Sequence, residues 1–146
     1  MSRPLRSLFA FATISTCLAG CQTGTGPSDA VRMQLAGAVF HRPSSGPAIV
    51  PFTITNMGSQ RVYLSRCGTR IMTAVDQYRA GQWSEFSGDG CFAIYDTSPL
   101  ALDPGARITG SRAVSDAGRF RLRAGATRDP QQAYRWDVGL AVFEVR

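Results

Sequence analysis

From Val31 onward the chain is a succession of short apolar runs of period two, each closed by a turn signal, and no eleven-residue stretch carries the 3.6-residue period of a helix. A period of two sends side chains alternately to two faces, so one face can be buried while the other meets water. In 49–55, Val50, Phe52 and Ile54 oppose Ile49, Pro51 and Thr53; in 61–65, Val62 and Leu64 oppose Arg61, Tyr63 and Ser65. The spacing predicts strands over 31–35, 49–55, 61–65, 71–78, 82–86, 91–95, 107–113, 119–124 and 134–145. Turns are expected at Asn56-Met57-Gly58-Ser59, as a hairpin, at Arg79-Ala80-Gly81 and at Asp103-Pro104-Gly105, with a bulge at Gly139. Helices of a turn or two at most are compatible with this pattern, and the fold class is all-β.

The first thirty residues read differently. Arg3 and Arg6 precede LFAFATISTCLAG, an apolar run long enough for the core of a signal peptide and too short to span a bilayer. It ends in Leu18-Ala19-Gly20-Cys21, an aliphatic residue, two small ones and a cysteine, which resembles the lipobox of bacterial lipoproteins. The resemblance implies removal of residues 1–20 and acylation of Cys21, which becomes the mature N-terminus. Several acyl chains make such an attachment effectively permanent. In the Gram-negative sorting pattern, Gln22 rather than Asp after that cysteine implies the outer membrane, on its periplasmic face. Residues 21–30, the lipidated cysteine followed by QTGTGPSDA, hold no large apolar side chain and read as a flexible tether with a reach of roughly 15–18 Å. Residues 31–146 then form one domain, a size that suits a single sandwich core.

Within that domain, the strand ending in Asn56, then Cys67-Gly68, Gly81-Gln82-Trp83, Leu102-Asp103-Pro104-Gly105 and Gly118-Arg119-Phe120-Arg121-Leu122 resemble the motifs of bacterial immunoglobulin-like domains. The resemblance implies an antiparallel β-sandwich of about seven to nine strands. Trp83 reads as the core tryptophan of such a sandwich, the alternative being an aromatic contact surface that it forms with Tyr78 for a peptide or glycan. Cys67 and Cys91 do not match the inter-sheet cysteine pair of antibody domains. In an exported protein they are most simply a disulfide closing a loop of about 25 residues, for which chain entropy gives about 3.5 kcal/mol.

Every one of the sixteen basic residues is arginine, which reflects coding bias more simply than sixteen separate demands for a guanidinium. Without Arg3 and Arg6, fourteen arginines face ten acids, a net charge of about +4, ordinary for solubility. No basic helix, zinc-finger spacing or ribonucleoprotein motif points to nucleic acid. The single histidine, His41, has no triad or metal-ligand context, and the chain lacks G-x-S-x-G, HExxH, phosphate-loop and dinucleotide patterns. No catalytic residue, metal site or cofactor is therefore assigned, and the protein is read as non-enzymatic. Glu85, Asp89 and Asp96 surround a glycine-rich turn without a calcium-loop spacing. They read as turn and surface carboxylates.

One charged feature is organised by periodicity. Arg119, Arg121 and Arg123 occupy alternate positions and share a face, a row suited to phosphate or carboxylate, although Asp116, Asp129 and Asp137 are available to balance it. The resulting expectation is an envelope lipoprotein held to the membrane through Cys21 and acting as a binding or assembly module toward an envelope protein or anionic polymer. The alternative is a hydrolase inhibitor, against a protease or a lysozyme, that presents the segment bounded by Cys67 and Cys91.

Overall fold

The computed structural model describes residues 30–146 except Asp89, Ala93 and Ala133, and the backbone alone of Arg135, Trp136 and Asp137. The leader, Cys21 and most of the tether lie outside these residues. The strands are β1 (Val31–Leu35), β2 (Val39–Phe40), β3 (Ala48–Asn56), β4 (Val62–Leu64), β5 (Arg66–Cys67) and β6 (Arg70–Ile71). They continue with β7 (Thr73–Arg79), β8 (Gln82–Gly88), β9 (Leu100–Leu102), β10 (Arg107–Val114), β11 (Gly118–Thr127) and β12 (Arg135–Val145). Among the described residues no helix is long and apolar enough to cross a membrane.

Two sheets face each other. One has the order β1-β3-β10, antiparallel throughout. The other runs β2-β12-β11, continues from β11 to β7 and β8 along most of its length, and passes to β4 and β9 at its far end. β2 lies parallel to β12, while the other pairs are antiparallel. Three strands against a sheet centred on the last two long strands, widened by an added hairpin strand, is the immunoglobulin-like sandwich. The core sits where the expected alternation puts it. Val50, Phe52 and Ile54 are buried from one sheet, and Val62, Leu64, Phe120 and Leu122 from the other. The Phe120 ring stacks on Phe143 at 5.7 Å and meets Phe86 edge-on at 5.4 Å. Each fully buried side chain of this size contributes about 1.5–3 kcal/mol over its exposed state.

The Gly139 bulge is present. Its φ of +63° is accessible to glycine, and opposite it the β11–β12 register shifts between Leu122 and Ala124. Three sequence expectations change. The segment after Asn56 is not a hairpin, because β3 and β4 belong to different sheets and the chain crosses the sandwich between them. Both strands alternate correctly, but alternation does not say against which sheet a face is buried. Residues 91–95 are not a strand: the described part is a turn in which the Tyr95 amide donates to the Phe92 carbonyl at 3.0 Å. The twelve strands exceed the expected seven to nine because β2, β5, β6 and β9 hold only two or three residues each, too few to show a period.

β4 and β7 are two parts of one line along β11. The chain leaves that line after Leu64, makes the small β5–β6 hairpin, and rejoins at Thr73. The excursion is closed at its base, where the Ser65 amide donates to the Gly125 carbonyl and the Met72 amide to the Ser65 carbonyl. Cys67 sits on this hairpin and is bonded to Cys91, beyond the end of β8, with a Cα separation of 5.6 Å. The disulfide thus ties the β5–β6 hairpin to the turn after β8 and joins no strand of the two facing sheets.

Candidate functional site

Two surfaces concentrate the chemistry singled out in the sequence. The first is the outer face of the larger sheet. Register places Arg121 opposite Asp76 of β7, and Asp76 opposite Glu85 of β8. The Asp76 side chain is buried and accepts hydrogen bonds from Arg121 Nε at 2.9 Å and from an Arg123 terminal nitrogen at 2.8 Å. Arg123 reaches Glu85 as well, at 3.4 Å. Arg119 has a different environment, with its guanidinium 5.3 Å from the Tyr78 ring centre and 5.9 Å from that of Trp83, while Arg121 stands 5.0 Å from Trp83. The three arginines do share one face. On it, however, they meet Asp76, Glu85 and Glu144, so the row is a neutralised ladder capped by aromatic rings.

Trp83 is the second tenant of that face: it is not a core tryptophan, and it lies beside Tyr78 as the alternative reading has it. Trp83 and Phe86 are three positions apart on one strand and must point to opposite faces; Phe86 packs against the core, so Trp83 lies outside on Tyr78, with ring centres 5.1 Å apart. Asp116 faces Arg79 at 3.9 Å on the surface, and His41 is exposed. Sequence reasoning missed Asp76, although a lone acid inside the apolar run of β7 was the available signal.

The second surface is the turn that follows Cys91, just outside the segment bounded by Cys67 and Cys91 and packed beside it. Arg66 Nε donates to the Ser98 carbonyl at 2.6 Å, its terminal nitrogen binds the Asp96 carboxylate, and the Gly68 amide donates to the Asp96 carbonyl at 2.8 Å. Hydrogen bonds from the Ser98 hydroxyl and amide, with Arg66 adding its charge, hold the Asp96 carboxyl below the usual carboxylate range. A turn secured in this way presents Phe92, Ile94 and Tyr95 to solvent, at 75%, 87% and 50% exposure. Beside them is an open cavity of about 440 Å³ lined by Cys67, Gly68, Thr69, Arg70, Phe92 and Tyr95. Asp89 lies outside the described residues. Glu85 and Asp96 take separate arginine partners, and among the described residues no three metal-ligating side chains come together.

No protein-family model and no curated protein matches the sequence. Among solved structures, a β-glucosidase from Listeria innocua aligns at 11% identity with a TM-score of 0.34, over 80% of this chain and 16% of the glucosidase. Its complex with gluconolactone aligns at 12% with a TM-score of 0.32, over 79% of this chain and 16% of that one. The chain therefore spans about a sixth of the enzyme's length. The PapD-like domain 7 of human CEP192 aligns at 13% identity with a TM-score of 0.38, over 97% of this chain and 94% of that domain.

Proposed function

We propose that this chain is a lipid-anchored, non-enzymatic binding module of the bacterial cell envelope, and that the turn after Cys91, tied to the β5–β6 hairpin by the Cys67–Cys91 disulfide, is its contact element. The observation that carries the reading is the exposure of Phe92, Ile94 and Tyr95 together on one turn, which is pinned at its start by the Cys67–Cys91 disulfide and at its end by Arg66 and Gly68 on Asp96. Large apolar side chains on a preorganised turn lose little entropy on docking and supply the anchoring area of a protein interface. The lipobox residues Leu18 to Cys21 support attachment at Cys21, and Gln22 supports the outer membrane, periplasmic side.

The test places a photo-crosslinking residue at Tyr95 in the anchored protein in living cells. One envelope protein should be captured, and the combined substitution of Phe92→Ser and Ile94→Ser should abolish the adduct while leaving the circular dichroism spectrum unchanged. An adduct that survives both substitutions overturns the reading.

The same observation favours a second reading, in which the loop inhibits a hydrolase by entering its cleft. Titration of the domain against a lysozyme and a panel of proteases separates the two. Stoichiometric inhibition that is lost with Phe92→Ser selects the inhibitor.

A further inference from the structure

The outer face of the smaller sheet carries a pair of cations that the neutralised ladder does not. Arg32 of β1 and Arg107 of β10 are both in register with Thr55 of β3, one on each side, so a single row across the sheet reads Arg32, Thr55, Arg107. Both arginines are exposed, and among the described residues neither has an ion-pair partner. Two strand spacings put their Cα atoms about 10 Å apart, within reach of one another's long side chains across the threonine hydroxyl. The next row, Gln34, Thr53 and Thr109, is uncharged and offers hydrogen-bonding side chains. No acid occupies any outward position of β1, β3 or β10. The opposite sheet answers its three arginines with Asp76, Glu85 and Glu144; this one answers its two with hydroxyls and an amide.

Chain connectivity says what such a face meets. Arg32 is two residues beyond Ala30, where the described domain begins, and Ala30 is nine residues beyond Cys21. A tether of that length reaches roughly 15–18 Å, so an acylated Cys21 holds the Arg32 end of the sandwich beside the lipid headgroups. Guanidiniums with free donors, flanked by hydroxyls, are the groups that bind phosphate diesters. We infer that the β1-β3-β10 face rests on an anionic lipid surface, with Arg32 and Arg107 bound to headgroup phosphates, and that the ladder of Arg119, Arg121 and Arg123 faces away from it. This inference rests on the anchoring of Cys21 proposed above.

The experiment uses the full-length protein, processed and lipidated in cells and then reconstituted into phosphatidylcholine vesicles with or without phosphatidylglycerol. A benzophenone amino acid at Thr109, or at Leu140 on the opposite face, reports lipid contact as a lipid adduct by mass spectrometry. Adducts are expected at Thr109 and not at Leu140, and only where phosphatidylglycerol is present. Arg32→Gln and Arg107→Gln should each reduce them about five-fold, and both together roughly 25-fold, as expected for the loss of one and two basic residues from an anionic surface. Equal adducts on both faces, or a Thr109 yield indifferent to the arginines or to phosphatidylglycerol, overturns the inference. The mass of the N-terminal peptide is read from the same sample: an unmodified Cys21 removes the anchor and the inference with it, whereas an acylated Cys21 without face selectivity removes the inference alone.

Discussion

Asp76 accepts Arg121 Nε at 2.9 Å from the neighbouring strand, and because the carboxylate is buried beneath the guanidinium, the pair fixes what the arginine row can do. An Asp76→Ala variant leaves Arg121 and Arg123 without their shared acceptor. With both arginines partly open to solvent, the expected loss is about 1.5–3 kcal/mol. Urea unfolding checks this, and a loss well below 1 kcal/mol would show the ladder to be a solvated surface network. Arg119→Gln, which removes the contacts to Tyr78 and Trp83 and the charge facing Glu144, should cost about 0.5–1 kcal/mol.

Asn56 is fully buried and has every polar atom occupied. Its Nδ2 donates to the Gln60 and Leu102 carbonyls at 2.8 and 2.9 Å, and its Oδ1 accepts the Gly58 amide at 3.0 Å. It locks the end of β3 to β9 on the other sheet and shapes the crossing between them. Asn56→Ala strands three backbone groups and should lower stability by about 2–3 kcal/mol, measured by thermal or urea unfolding. Asn56→Asp, which keeps the acceptor and loses both donors, should not restore it.

The two-residue turn between β7 and β8 has positive φ at both central positions, 49° at Ala80 and 85° at Gly81. Alanine is strained there, whereas Asn-Gly suits such a turn. Ala80→Asn is expected to raise stability by about 0.5–1 kcal/mol. The readout is the urea midpoint at unchanged slope.

Replacing Cys67 and Cys91 with alanine should cost about 2–4 kcal/mol, chiefly through the freed unfolded chain. Both residues lie off the two sheets, so the far-ultraviolet spectrum should be retained while the loop carrying Phe92 and Ile94 gains protease sensitivity. Collapse of the spectrum would mean that the loop is needed for the sandwich to form.

Acid should loosen that loop once the pH falls below the ordinary carboxylate range. Asp96 has its folded pKa lowered by Ser98 and then by Arg66, so its contribution is present above the ordinary carboxylate range and is lost as the pH falls through the lowered value. Glu144, held low by Arg146, behaves in the same sense at the other end of the domain. Hydrogen exchange at the Gly68 amide, which donates to the Asp96 carbonyl, should accelerate relative to core amides as Asp96 is protonated, and Asp96→Asn should remove the pH dependence.

Where a strand was long enough to show a period, the chain could be read directly. Val50, Phe52 and Ile54, Val62 and Leu64, and Phe120 and Leu122 all point inward as their alternation requires, and Gly139 makes the bulge expected of a glycine within a long strand. The β7–β8 hairpin follows from its two-residue turn. Trp83 illustrates the limit. Parity says that Trp83 and Phe86 oppose one another, but not which of them is inside. The arginine row illustrates another: its shared face follows from spacing, while its neutralisation depends on Asp76, 45 residues away and placed beside Arg121 by the register of β7 on β11.

The all-β class, the inward faces of the long strands, most turn positions and the N-terminal lipobox pattern could be read from local pattern alone, because each of these is encoded by neighbours within a few residues. Long-range packing settled which strands share a sheet, that Asn56 starts a crossing between sheets, and that Cys91 follows β8 into an exposed turn. It also placed Arg32 and Arg107 on either side of Thr55, on a sheet whose strands carry no acid. Those outcomes depend on pairings between residues far apart in the chain, and they are set by the joint burial of two sheets against one core, which no local pattern records.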